Sequence, residues 1–262
     1  MKYGDETRPG DGVTIGVMDS GIDRTHGEFS GASLTKELLQ GLPQERRTDY
    51  GEREFSHGTA VTSIMAAQPN DAGFLGIAYG ADFKVFGVPI GAHIPENDPR
   101  RMEFDWTQAY RDVLRRGVDI VNNSYSASGT FIENYNANEL RLFSESTVIA
   151  QSGVANPAIF VWAAGNDHGV ECDGPVSDEN CVVDPGSPTG FSHRATSPNV
   201  VGGAMARLSE LRGHNVVVVA TDQSGVIAGF SNRCGIADQW CIAAPGVNVT
   251  GAFFGDRTPP PD

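Results

Sequence analysis

Val13-Thr14-Ile15-Gly16-Val17-Met18 runs directly into Asp19-Ser20-Gly21. A short apolar stretch bounded by turn-forming residues reads as a strand covered on both faces, the kind found inside a parallel sheet. The residue that ends it is an acid. A carboxylate at the edge of a buried strand is partly desolvated, and it stays ionised only where donors surround it. Ser20 and Gly21 allow the sharp turn that would supply backbone donors. A plain helix cap is the simpler alternative for Asp19.

Outward from this strand the chain alternates. Residues 1–12 are polar and rich in Gly and Pro, which suggests a flexible lead-in to a single domain over residues 13–262. Residues 30–56 have no periodicity and read as a long loop, with a short helix around 34–39. From His57 the sequence becomes small and apolar, His-Gly-Thr-Ala-Val-Thr-Ser-Ile-Met-Ala-Ala, with too few polar residues for a surface helix, so this helix should be buried. Strands follow at 83–88, 118–122, 158–163, 200–205, 216–220 and 240–243. Amphipathic helices are expected at 101–116, stopped by Gly117, and at 138–152. Strands alternating with helices give an α/β fold, a three-layer sandwich with a mostly parallel central sheet and helices on both faces. In such sheets, sites form beyond the carboxyl ends of strands, where Asp19, Asn122-Asn123 and Asn166 fall.

Composition narrows the possible functions. The 262 residues carry a formal net charge of −14. An acidic chain lacks the basic face that phosphate backbones require, so nucleic acid is not expected as a partner. No apolar run approaches the ~18 residues that a membrane span needs. The first residues have no signal-peptide core. The four cysteines form two close pairs, Cys172 with Cys181 and Cys234 with Cys241, and neither has the Cys-x-x-Cys spacing of a zinc or redox site. Two local disulfides formed in an oxidising compartment are expected, the alternative being four reduced thiols.

Two more segments carry chemistry. His57-Gly58-Thr59 opens the buried helix, where a helix N-terminus disfavours imidazolium and leaves a neutral ring able to accept a proton. Ala163-Ala164-Gly165-Asn166 ends a strand with small residues and an amide that can donate to a developing oxyanion. Each has an ordinary reading by itself, a capping His and an Asn turn. Together they give acid, then base, in the chain order known from subtilisin.

Val-Met-Asp-Ser-Gly-Ile-Asp, His-Gly-Thr-Ala-Val and Ala-Ala-Gly-Asn resemble the upstream signatures of the subtilisin-like serine proteases, and the likeness extends across residues 13–250. The resemblance implies a serine endopeptidase. In it Asp19 would orient the imidazole, His57 would be general base and then acid, and Asn166 would donate to the oxyanion. Ser124-Tyr125-Ser126 and Ala163-Ala164-Gly165 would form the two walls of the main specificity pocket, and the first would pair with an extended protein or peptide substrate as an added strand. No cofactor is required. A structural calcium is implied only through Glu28 and Asn70, in a loop with carbonyls to offer.

The family's Gly-Thr-Ser nucleophile motif does not occur in these residues. Ser197 precedes Pro198, which disfavours a helical start, and Ser224 and Ser231 lie in turn and strand sequence; all three read as structural. Read this way, the chain is a fragment that stops before the catalytic serine and is inactive by itself. Rival readings are a non-catalytic relative that binds peptides or a partner, and an unrelated α/β enzyme. The cysteine loops resemble those of secreted autotransporter passenger proteases, which implies a secreted or cell-surface location.

Overall fold

The computed structural model describes residues 7–39, 57–71, 73–90, 104–152, 158–172, 174 and 180–252. The chain forms two compact units. The first comprises Met1–Ser124, Gly153–Ala158 and Thr250–Asp262, and the second Tyr125–Ser152 and Ile159–Val249.

In the first unit the opening apolar run forms β1 (Thr14–Asp19), followed by β2 (Leu34–Glu37), α1 (His57–Ala66), β3 (Asp82–Gly87), α2 (Trp106–Arg115) and β4 (Ile120–Asn123). The strands are parallel in the order β2-β3-β1-β4, with Ile15 in register with Phe83 on one side and Ile120 on the other. Central strands bury both faces, and here Ile15, Val17, Phe83 and Val85 form a core with Ile22, Phe29 and Ala66. Gly76 is packed against the end of α1, so that the N–H groups of Gly76, Ile77 and Ala78 bind the carbonyls of Ala67, Ile64 and Met65, which the helix leaves unsatisfied.

The second unit contains α3 (Ala137–Ser152), β5 (Ile159–Ala163), β8 (Asn215–Thr221) and β9 (Cys241–Pro245), with a separate antiparallel pair, β6 (Cys181–Val183) and β7 (Phe191–His193). Strands β5, β8 and β9 run parallel in that order. A capping box starts α3: Asn136 Oδ1 accepts from the N–H groups of Asn138 and Glu139, and Glu139 Oε2 accepts from Asn136 N–H at 2.8 Å. The fold is therefore α/β with mostly parallel strands, as the alternation implies. Among the described residues no helix is long and apolar enough to cross a membrane.

Four expectations change. Residues 34–37 form β2, not a helix, because Leu34 pairs with Phe83 and packs on the core, and that pairing outweighs the helical preference of Leu, Lys and Glu. Residues 200–205 are mostly buried but not a strand. Asn199 Oδ1 accepts from both Val201 N–H and Gly202 N–H at 3.0 Å, which bends the chain into turns and a 3-10 helix at Ala204–Ala206. The first helix around residue 101 begins later, at Trp106, where Asp105 caps it through Gln108 N–H; residues 101–103 lie outside the described part. The lead-in is tied down from Arg8, since Pro9 O accepts from Gly80 N–H at 2.8 Å.

Candidate active site

Asp19 ends β1 with its side chain fully buried. The turn after it is held by backbone and hydroxyl groups together. Ser20 N–H donates to Asp19 Oδ1 at 2.7 Å, Gly58 N–H donates to Ser20 Oγ at 3.1 Å, and Asp23 N–H donates to Thr59 Oγ1 at 3.0 Å. Gly21 takes a φ of 111°, in the left-handed region that glycine favours. These bonds set the first turn of α1 against the end of β1. They bring His57 Nδ1 to 2.7 Å from Asp19 Oδ1, with Asp19 fully buried and the imidazole 52% exposed. Beside a carboxylate acceptor, Nδ1 carries the proton and Nε2 is left to accept one. Asp19 Oδ2 is buried with no partner among the described residues.

The shift at His57 is opposite to the one a helix N-terminus favours. The His57 pKa is raised, chiefly by the hydrogen bond to Asp19, against a smaller opposing effect of burial. The sign has two consequences. The pair's contribution to stability is complete below about pH 6.5, the free-imidazole value, and is lost as pH rises through the raised one. The neutral, proton-accepting ring dominates only above that value. Nuclear magnetic resonance titration should show His57 titrating above about 6.5, and Asp19→Asn should lower it. Titration at or below the free value in the native chain would show that the contact does not form in solution.

In the second unit, Ala163-Ala164-Gly165-Asn166 continues from β5. Buried Asn199 donates from Nδ2 to the carbonyls of Ala163 (3.0 Å) and Ala164 (2.9 Å). Asn166 itself is exposed. Tyr125 meets Trp162 edge to face at 6.0 Å, and Trp162 Nε1–H donates to buried Asn215 Oδ1 at 2.9 Å. Ser126 is exposed, and in the first unit Ser124 Oγ accepts from Asn122 Nδ2 at 2.9 Å. The sequence marks Ser20 only as part of a turn and does not single out Asn199 or Asn232. A buried polar side chain inside a Gly-rich loop looks like any other turn residue until its partners are known.

The two disulfides pair Cys172 with Cys181 and Cys234 with Cys241, with Cα separations of 6.0 and 5.8 Å. Ser197, Ser231 and Ser224 have structural partners. Ser197 is buried, with Ile236 N–H donating to its Oγ at 3.4 Å. Ser231 Oγ accepts from Ala220 N–H and donates to Asn232 O. Ser224 Oγ donates to Asp222 Oδ1.

Glu28 Oε2 is buried without a partner among the described residues. Gly73 lies so close to this carboxylate that a Cβ there would stand 1.7 Å from Oε1. Asn70 Nδ2 donates to Gly27 O at 3.1 Å, which brings it beside the same turn. Among the described residues no group of three or more His, Cys, Asp or Glu side chains is placed to hold a metal ion. An ion here would therefore need amide and carbonyl oxygens as well, a donor set that suits calcium.

A sequence model of the subtilase family matches residues 10–259. The chain is 29% identical over 166 residues to an extracellular serine protease of Aeromonas sobria, covering 60% of this chain and 24% of that protein. It is 31% identical over 127 residues to an extracellular serine protease of Serratia marcescens (44% and 10%). An intracellular serine protease of Paenibacillus polymyxa is 26% identical over 164 residues (60% and 43%). The chain thus spans less than half the length of these relatives. Among solved structures, the prenylagaramide maturation protease PagA superposes with a TM-score of 0.59 at 21% identity, covering 95% of this chain and 68% of that one. The serine protease of Aeromonas sobria gives 0.57 at 23%, covering 85% and 34%. At these identities the likeness is one of fold.

Proposed function

This chain belongs to the subtilase family of serine proteases, and on that premise we propose that it carries the acid, the base and the oxyanion donor of a serine endopeptidase. The observation that carries this reading is the 2.7 Å contact between His57 Nδ1 and buried Asp19. With Nδ1–H held by the carboxylate, Nε2 takes the proton of a serine hydroxyl as that oxygen attacks a peptide carbonyl. The imidazolium then returns the proton to the leaving amine, and water resolves the acyl-enzyme by the same route. Asn166 stabilises the oxyanion. Ser124-Tyr125-Ser126 pairs with extended substrate, and Ala163-Ala164-Gly165 lines the pocket with small side chains. The nucleophile motif is not among these 262 residues, so the 262-residue chain alone is proposed to be inactive, and the reading is tested on the whole gene product. Extracellular relatives and two disulfides support export, and the cysteine loops support an autotransporter passenger as its form.

The whole gene product is expected to hydrolyse peptides and to be labelled by a fluorophosphonate, with both lost in His57→Ala. No labelling of a folded whole product would replace this reading with a peptide-binding one.

Calcium at Glu28 and Asn70 is the second element of the proposal, supported by the orphaned buried Oε2 of Glu28. Free calcium at about 100 times its Kd adds roughly 2.7 kcal/mol to a domain that binds it only when folded. For a domain of this size that is a rise of several degrees in Tm. Glu28→Gln should abolish the difference between calcium and chelator. Equal Tm values for the native chain in both would remove calcium from the proposal.

A further inference from the structure

An oxyanion donor on an exposed turn works only if the turn is held. Asn166 is exposed, yet the residues on either side of it are tied to one fully buried residue, Asn232, Gly165 through its backbone N–H and Asp167 through its side chain. Asn232 N–H donates to Gly165 O at 3.0 Å, and Asn232 Oδ1 accepts from Asp167 N–H at 2.8 Å. Asn232 Nδ2 donates to Asp167 Oδ2 at 3.3 Å. Gly165 has a φ of 116°, and a Cβ there would stand 2.6 Å from Asn232 Nδ2. Only glycine lets the turn close on this amide.

Asp167 is the other half of the device. It is 3% exposed, and its Oδ1 accepts from Gly129 N–H at 3.0 Å and from Ser128 Oγ. A negative charge next to an oxyanion donor opposes the charge that develops there, and it is tolerated only when donors hold it and turn it away. Three donors from Ser128, Gly129 and Asn232 do this, and they also tie the segment after Tyr125 to the Asn166 turn.

We infer that Asp167 and Asn232 are positioning residues for Asn166, acting through the peptide units that flank it. The inference rests on the oxyanion role proposed for Asn166, and a double-mutant cycle tests it on the whole gene product. Asn232→Ala should lower kcat roughly 10- to 100-fold, the cost of a small misplacement, with KM nearly unchanged. In an Asn166→Ala background the same change should cost less than about threefold, since no donor remains to be placed. The exchanged pair Asp167→Asn with Asn232→Asp keeps every hydrogen bond of the clamp, reversing only the one between the two side chains, and should recover most of kcat. Equal losses with and without Asn166, or losses confined to KM, would overturn the inference.

A second measurement uses the 262-residue chain. Amide hydrogen exchange at Asp167 should accelerate at least about tenfold in Asn232→Ala and slow again in the exchanged pair. Unchanged exchange means there is no clamp. If Asn232→Ala does not fold, the exchanged pair decides: slow exchange with recovered kcat supports the clamp, and fast exchange in a folded protein refutes it. If the native whole product has no peptidase activity, the oxyanion reading falls while the exchange result still decides whether the turn is clamped.

Discussion

Asp19→Asn is expected to lower kcat of the whole gene product by three to four orders of magnitude, in line with the ~10⁴ loss known for this change in another serine protease. The geometry offers two ways to reach that loss. Asp19 Oδ1 takes two hydrogen bonds, from Ser20 N–H at 2.7 Å and from His57 Nδ1 at 2.7 Å. If Asn places its oxygen there, both bonds survive and only the charge that favours imidazolium is lost. If it places its amide there, Ser20 N–H loses its acceptor and the ring is turned to the tautomer that cannot accept a proton at Nε2. Asn matches Asp in shape, so the fold should hold, KM should stay within a few-fold, and the loss should fall on kcat. A loss under tenfold would show that Asp19 is only a structural residue.

Gly58→Ala should cost a large part of the stability, about 3 kcal/mol or more. A Cβ at this position would stand 2.1 Å from Gly21 O, 3.1 Å from Gly21 N and 3.2 Å from Asp19 Cβ. The nearest of these are backbone atoms, so no side-chain rotation relieves the clash. Relief means moving α1 away from the end of β1, which breaks the bonds from Gly58 N–H to Ser20 Oγ and from Asp23 N–H to Thr59 Oγ1. The His57–Asp19 contact should lengthen with them, so the imidazole pKa should fall along with the urea midpoint. Gly229→Ala is the control, with nothing within 4 Å of its Cβ, and should be nearly neutral. A native-like midpoint for Gly58→Ala would mean that α1 is not packed as described.

Asp19 and His57, the acid and base of the proposal, stand out in the sequence because one ends an apolar run and the other opens a small-residue segment. The apolar run into Asp19 can only be a buried strand, and the small-residue helix after His57 can only be a covered one. The set of bonds that joins them is not legible there. Ser20, Thr59, Asn199 and Asn232 are common turn and helix residues in sequence, and their roles depend on distant partners, as in the contact of Asn232 with Asp167, 65 positions away. The His57 pKa shift runs against the sequence-based expectation for the same reason. The helix terminus is a local feature that sequence displays, whereas the 2.7 Å carboxylate is brought in from 38 residues upstream. Residues 34–37 depart from expectation because strand pairing claims them, and residues 200–205 because the Asn199 side chain folds them into turns through local bonds.

The disulfides have a kinetic consequence. Four cysteines allow three pairings, but the partners here are separated by 9 and 7 residues, first with second and third with fourth. A chain that enters an oxidising compartment N-terminus first presents Cys172 and Cys181 together, some 50 positions before the next thiol follows. Short loops also close with the smallest entropy loss. Each pair therefore meets its own partner before the other pair's thiols are close, which favours these two short loops over the two long-range pairings.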